Sequence, residues 1–368
     1  MTSSNIPESH ASAILTIDLA AVRENYNILK RAVNGVECAA VVKANGYGLG
    51  ADKIGPTLVK AGCTKFFVAH LEEGIKLRNY VGDAEIHILG GLLPGVSDAY
   101  RDHQLIPVIG SLREFTIWSS YTKDSNLPCD IHVDTGMLRL GLPPDELRQI
   151  ADNPELLVGL NILNVLSHLA SADELQSSQT GKQLKAYKEA RDILPMGNAC
   201  LANSSGIFFG TPYHFDMVRP GVALYGANPT PDFKNPMQPA INLKARIVQT
   251  REARVGDTVG YGAGHKVTRH SKIATLAVGY ADGYLRSLSS NAFGYIGEHR
   301  IPLVGRVSMD LITFDVTQVP VNLCTVGAWV ELIGPNHSVD DLANEGGTIG
   351  YEVLTSLGSR YHRVYINE

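Results

Sequence analysis

One lysine stands at the end of an apolar run, in Val41-Val42-Lys43-Ala44-Asn45-Gly46-Tyr47-Gly48-Leu49-Gly50. The run Ala39–Val42 reads as a strand, the glycines as a loop, and the spacing of Ile54, Leu58 and Val59 as the start of a helix. A lysine leaving a buried strand loses solvent, which disfavours its ammonium and frees the amine as a nucleophile. The chemistry that needs such an amine is Schiff-base formation with a carbonyl, pyridoxal phosphate above all. An ordinary lysine at a strand end shows the same pattern, so this stretch decides nothing by itself.

Other chemistry-bearing residues sit where apolar runs end. Asp134-Thr-Gly-Met-Leu-Arg-Leu-Gly141 places Arg139 in a loop, and Ser167-His168-Leu-Ala-Ser-Ala-Asp173 follows another run. Ala202-Asn203-Ser204-Ser205-Gly206 can open a helix whose N–H groups would hold a phosphate. Val218-Arg219-Pro220-Gly221-Val222 follows a fourth run. Further along stand Val259-Gly260-Tyr261-Gly262, Gly279-Tyr280-Ala281-Asp282-Gly283-Tyr284, Gly305-Arg306-Val307-Ser308-Met309-Asp310 and Gly350-Tyr351-Glu352. Taken singly, each arginine is a candidate surface ion pair, each tyrosine a core residue, and each glycine a turn.

The elements that must position these groups follow from a rhythm. From Glu37 onward, eight apolar runs (39–42, 65–69, 86–89, 105–109, 130–133, 157–167, 198–202 and 215–218) alternate with helical patterns at 71–79, 111–121, 144–152 and 174–193. Such alternation predicts parallel strands with crossover helices, and eight of them predict a (β/α)8 barrel with its chemistry at the C-terminal strand ends. Before it, 13–17 is a short apolar run and Asp18 is placed to cap a helix carrying Leu19, Val22, Tyr26 and Leu29. The rhythm breaks in the proline-rich stretch 229–239. Short β-branched runs then recur at 241–250, 273–279, 292–296, 301–304, 311–316 and 328–333, with helices at 339–344 and 350–357. The expected organisation is a barrel domain over 1–235 and a mostly-β domain over 236–368.

Composition narrows the function class. With 368 residues, 44% hydrophobic and 19% charged, the chain is an ordinary two-domain globular protein. A net charge of −5 and no basic run argue against nucleic acid, and no apolar stretch is long enough to span a membrane. The polar first ten residues carry no secretory pattern, and five scattered cysteines suit reduced thiols in a cytoplasm. No metal-binding spacing of Cys or His is present.

Taken jointly and in this order, the motifs resemble the alanine racemase family, over about Ile14 to Arg363. The resemblance implies a pyridoxal-phosphate enzyme with an N-terminal barrel and a C-terminal β domain, working as a head-to-tail homodimer on alanine. Lys43 matches the lysine that holds the cofactor and acts as one base. Tyr261 matches the second base, supplied by the other subunit. Tyr47, Ser204, the N–H groups of Gly221 and Val222, and Tyr351 match the phosphate ligands, with Asn203 in the same loop as Ser204. Arg219 matches the residue facing the pyridine nitrogen. Arg139 matches the arginine near the phenolic oxygen and the substrate carboxylate, and Met309 a backbone donor to that carboxylate. His168 matches a residue behind the catalytic tyrosine. Asp173, Tyr280, Arg286, Arg306 and Ile349 match the corridor that limits substrate size.

Two bases on opposite faces are what an α-proton exchange with inversion requires. A phenol with a pKa of about 10 is a weak base at neutral pH, so positive charge through His168 and Arg219 is expected beside it. A guanidinium is too weak an acid to protonate a pyridine nitrogen, which favours racemisation over transamination. The sequence departs from the usual pattern at Gly46, Leu49, Leu138, Cys200 and Ser308, and most of all at His132. Many members carry there a carbamylated lysine that orients the arginine equivalent to Arg139. With His132 that support must come from the imidazole, a bound anion or a carboxylate. The rival readings are a broad-specificity racemase preferring serine or lysine, a related decarboxylase, which should show an acid in place of Arg219, and a single-domain cofactor carrier, which should lack Tyr261 and Met309.

Overall fold

The computed structural model describes residues 7–123 and 125–368. Residues 1–6, part of the N-terminal stretch read as lacking a secretory signal, lie outside it.

The expected barrel is present. Parallel strands Lys65–Val68, Glu85–Ile88, Ile106–Ile109, Pro128–His132, Asn161–Leu166, Asn198–Cys200 and Met217–Val218 pair in chain order. The remaining staves are Glu37–Cys38 and Ala40–Val41, two halves of one run broken at Ala39. The first half pairs with Met217–Val218 and the second with Lys65–Val68. Ala39 N–H donates to the Val218 carbonyl at 3.0 Å and Val41 N–H to that of Pro220 at 2.9 Å, so the broken stave closes the ring. Helices Leu71–Val81, Leu112–Thr122, Pro144–Asp152 and Ser178–Ile193 stand where their patterns predict.

Asp18 caps the helix Leu19–Ala32, accepting from the N–H groups of Ala20 (2.9 Å) and Ala21 (3.2 Å). That helix buries Leu19, Val22, Tyr26 and Leu29. The strand before it, Ala13–Asp18, is outside the barrel: it lies antiparallel to Ile241–Ala253 and parallel to His362–Ile366. A division at residue 235 therefore leaves one strand of the second sheet with the first segment. Strands Ser271–Leu276, Phe293–Ile296, His299–Pro302, Ile312–Asp315 and Trp329–Ile333 complete that sheet, each pairing antiparallel with its neighbours. A separate hairpin, Thr258–Val259 with His265–Lys266, carries Tyr261 at its tip. Among the described residues no helix is long and apolar enough to cross a membrane.

Candidate active site

The lysine loop is a strained turn rather than a relaxed one. Immediately after Lys43, residues 44 to 48 all take left-handed backbone angles: Ala44 (φ 53°), Asn45 (57°), Gly46 (65°), Tyr47 (52°) and Gly48 (82°). Each L-residue held there costs about 1–2 kcal/mol, and such strain persists only where surrounding contacts over-determine it. Those contacts are present. Glu73 accepts from Ala44 N–H at 2.6 Å with one carboxylate oxygen and from Ala69 N–H at 2.7 Å with the other. The Asn45 side chain accepts from Ala51 N–H at 2.9 Å. From the C-terminal strand, Arg363 donates to the Gly48 carbonyl at 2.6 Å and the Tyr365 hydroxyl to that of Leu49 at 2.9 Å. Glu73 is a site residue that sequence reasoning missed. Its sole local signal is its place three residues after His70, where it also accepts from the His70 N–H at 3.2 Å and helps cap its own helix.

Lys43 is half-buried. Its pKa is lowered by burial first, then by the charge of Arg139, with Glu73 opposing and Arg219 adding to the shift. Arg219 is buried, and its guanidinium donates to three neutral acceptors: the Ser167 carbonyl (2.6 Å), the Cys200 carbonyl (3.2 Å) and the Cys200 Sγ (2.8 Å). No carboxylate pairs with it among the described residues. Arg139 is exposed in the turn that Asp134 organises by accepting from the N–H groups of Gly136 and Met137 (2.8 and 2.9 Å). Among the described residues neither a carboxylate nor a hydrogen bond holds its guanidinium, so of the three anticipated supports neither the His132 imidazole nor a carboxylate grips it within one chain.

Both histidines at the barrel mouth are uncharged. Burial, then Arg219, pushes His132 down to about 3 against a small opposing effect of Asp134. Burial, then Arg219, Lys43 and Arg139, holds His168 well below the usual imidazole range. The expectation that His168 supplies positive charge is therefore corrected, because burial first, and then the charges of Arg219, Lys43 and Arg139, make its protonation unfavourable. The His132 shift has a pH consequence. Between about 6.5 and about 3 the unfolded chain binds a proton that the folded chain refuses, so stability must rise with pH across that window. His132→Gln is expected to flatten the dependence of the urea midpoint on pH from about 6 to about 4; an unchanged slope would mean that His132 titrates normally.

Beside Lys43 lies a compact cradle. Tyr47 is buried, stacked on Tyr225 at 4.6 Å between ring centres and tilted against Tyr351 at 6.1 Å. The Ser204 hydroxyl accepts from the N–H groups of Gly221 (2.9 Å) and Ala223 (3.3 Å), tying the two loops together, while Val222 follows as the start of a buried turn. Asn203 shapes the same loop by accepting from Gly206 N–H at 2.9 Å. Gly221 has no side chain for a steric reason: a Cβ there would lie 2.3 Å from the Tyr47 hydroxyl oxygen. The residues fit pyridoxal phosphate. Three cations without carboxylate partners among the described residues face one mouth, and a hydroxyl-and-amide cradle adjoins them. Gly221→Ala is expected to weaken binding of the cofactor by about ten- to a hundredfold, matching about 1–3 kcal/mol of overpacking, in an absorbance titration of stripped protein. Unchanged affinity would remove Gly221 and Tyr47 from the cradle.

The structure does not bring every sequence-predicted residue into this mouth within one chain. Tyr261 is 72% exposed and Met309 54% exposed on the β domain. Around them, Arg306 packs its guanidinium against Gly262, and Tyr280 and Ala281 donate backbone N–H groups to the carbonyls of Ser308 and Met309 at 3.0 Å each. Arg286 starts a short turn after Tyr284, and Ile349 is exposed just before the helix that holds Tyr351. Asp173 is exposed on the barrel side and lines a cavity of about 300 Å³ with Ser205, Phe208 and Phe233. One chain thus presents a cation-lined mouth on the barrel and, on the β domain, an exposed tyrosine.

Fold and mouth together define a barrel protein with an added β sheet, whose strand-end cations fit an anionic cofactor. Comparison with known proteins narrows the class. Family models described as alanine racemase, N-terminal domain, and alanine racemase, C-terminal domain, match residues 17–229 and 240–365. A catabolic alanine racemase of Mesorhizobium japonicum is 47% identical over 364 residues, covering 98% of this chain and 95% of the relative. A biosynthetic one of Agrobacterium fabrum is 43% identical, covering 96% and 93%. The crystal structure of alanine racemase from Bartonella henselae with covalently bound pyridoxal phosphate superposes with a TM-score of 0.93 at 40% identity, covering 97% of this chain and all of that one. The chain belongs to the alanine racemase family.

Proposed function

We infer that this protein interconverts L- and D-alanine, using pyridoxal phosphate held at Lys43, in a homodimer whose active sites are shared between subunits. When bound, the cofactor supplies a covalent anchor for the amino group and an electron sink that acidifies the Cα–H bond. The chain's residues do the rest. Lys43 moves the proton on one face, and Tyr261 of the other subunit moves it on the opposite face. Arg139 and the Met309 N–H orient the substrate carboxylate. Tyr47, Ser204, Gly221, Val222 and Tyr351, with Asn203 shaping the loop, hold the phosphate. Arg219, a permanent cation that does not surrender its proton, faces the ring nitrogen and keeps the sink weak. Asp173, Tyr280, Arg286, Arg306 and Ile349 form the access corridor and favour a small side chain. The single observation that carries this reading is the half-buried Lys43 amine set among Arg139 and Arg219, with only neutral acceptors on Arg219 among the described residues.

Relatives of both metabolic kinds fit equally, so the D-alanine formed would serve peptidoglycan synthesis or the reaction would open alanine catabolism. A cytoplasmic setting suits the five free, buried cysteines. A broad-specificity racemase is the alternative, since the corridor's width depends on both subunits. Chiral product analysis with L-alanine, L-serine, L-lysine and L-arginine tests this. D-alanine should form much faster than the other D-enantiomers; faster racemisation of another amino acid would transfer the assignment to the rival.

Sharing of the site has its own test. Lys43→Ala and Tyr261→Phe homodimers should each be nearly inactive. Mixed and reassembled in equal amounts, they should regain roughly a quarter of wild-type activity, because half the dimers are mixed and each carries one intact site. No recovery would place both bases in one chain.

A further inference from the structure

We propose that Phe67, stacked on the buried His87–Asp130 pair, is the platform that positions Arg219; this rests on the reading that Arg219 faces the cofactor's ring nitrogen. The Arg219 guanidinium carbon lies 5.6 Å from the centre of the Phe67 ring, within the range of a cation–π contact. Its hydrogen bonds to Ser167 and Cys200 run from the two terminal nitrogens and fix the group from that end. Beside those bonds, the Phe67 ring is the aromatic neighbour that limits how far the cation can shift. Phe67 is fully buried, and its own tilt is not free. It pairs in register with His87 on the adjacent strand, and the two rings stack at 4.4 Å with 14° between their planes.

His87 is in turn hydrogen-bonded at Nδ1, while its Nε2 has only an ion-pair approach to Glu85. Nδ1 lies 2.7 Å from Asp130 Oδ2 and Nε2 lies 3.3 Å from Glu85 Oε2. The second Asp130 oxygen accepts from the Asn164 side chain at 2.7 Å. Burial works against a charged His87, but the two carboxylates outweigh it and its pKa lies above the ordinary value. This is a costly arrangement for a barrel interior, where branched apolar side chains ordinarily fill the layers. Simple packing would be served by leucine or valine at 87 and 130. What the Asn164–Asp130–His87 hydrogen bonds add is a preferred orientation of the imidazole. Here that orientation passes from Asp130 to His87, to the Phe67 ring, and so to the position of Arg219. These are positioning residues: none touches substrate.

The test uses the cofactor-loaded protein and reads product partition as well as rate. A guanidinium that drifts from the ring nitrogen would admit water there and raise the fraction of turnovers that end in transamination, in which the carbon skeleton leaves as pyruvate and the amino group and electron pair stay behind as pyridoxamine phosphate. Pyruvate formed per D-alanine is therefore the readout, with the absorbance spectrum of the bound cofactor as a second. Phe67→Leu is expected to raise that ratio by roughly three- to thirtyfold, the range of a buried cation–π contact. Asp130→Asn, which keeps the volume and one hydrogen bond, is expected to raise it less. Arg219→Gln should raise it most. Folded Phe67→Leu and Asp130→Asn proteins with the wild-type ratio and spectrum would overturn the proposal while Arg219→Gln still alters both. If Arg219→Gln also leaves them unchanged, the reading of Arg219 itself fails. Should leucine at 67 prevent folding, Asp130→Asn decides in the same way.

Discussion

Replacing Lys43 by alanine is expected to lower alanine racemisation by at least about 10³-fold, because one side chain is both cofactor anchor and proton carrier. The bound cofactor should also become removable by dialysis, its attachment reduced to the phosphate cradle and the arginines. The depressed pKa gives a second signature. Burial and the charge of Arg139 mean that the Lys43 amine deprotonates below 10.5, its ordinary value. A limb of the wild-type pH profile assigned to this amine should accordingly lie under that value and vanish in the variant. A small primary amine added to Lys43→Ala is expected to restore part of the activity, since the turn at 44–48 is held by Glu73, Asn45 and Arg363, not by the lysine. A variant retaining more than about a tenth of the wild-type rate would exclude Lys43 as a base.

Tyr261→Phe should separate the two faces of the reaction. Removal of the α-proton from L-alanine is expected to fall by about 10²–10⁴-fold, the usual contribution of a positioned general base. The cofactor should stay attached through Lys43, and exchange of the α-proton of D-alanine with deuterated water should persist, since the lysine face is intact. Proton exchange followed by NMR for each enantiomer makes the comparison. Equal loss of exchange from both would end the two-base assignment. The side chain is 72% exposed on one chain, so the substitution removes one hydroxyl from a surface loop. Its effect on monomer stability should lie within about 0.5 kcal/mol. A large kinetic loss with an unchanged melting temperature therefore reports chemistry rather than folding.

Much of this was legible from local patterns. Eight apolar runs with helical stretches between them do form the barrel, because parallel strands need crossover helices and both periodicities are written in neighbouring residues. The cap at Asp18 was legible for the same reason. The left-handed run after Lys43 was not. Gly46, Gly48 and Asn45 announce a turn, but Ala44 and Tyr47 do not favour such angles by themselves. They are held there by Glu73, Arg363 and Tyr365, which lie 29 to 316 residues away along the chain. The brace of Glu73 on Ala44 was equally invisible, since only the pairing of Ala40–Val41 with Lys65–Val68 brings the two segments together.

By itself the sequence determined the class of elements, their order, and which residue types could hold an anionic cofactor and move a proton. Those depend on composition, spacing and short-range stereochemistry, all of them properties of contiguous residues. Tertiary structure alone decided three further matters. Ala13–Asp18 joins the β domain, because its partners Ile241–Ala253 and His362–Ile366 are far along the chain. His132 and His168 are neutral, because charge state sums over every nearby group in space, and here burial and Arg219 together exclude a proton. Arg219 is gripped by neutral carbonyls, a thiol and an aromatic face rather than by a carboxylate, because those groups converge only where separate barrel strands end side by side.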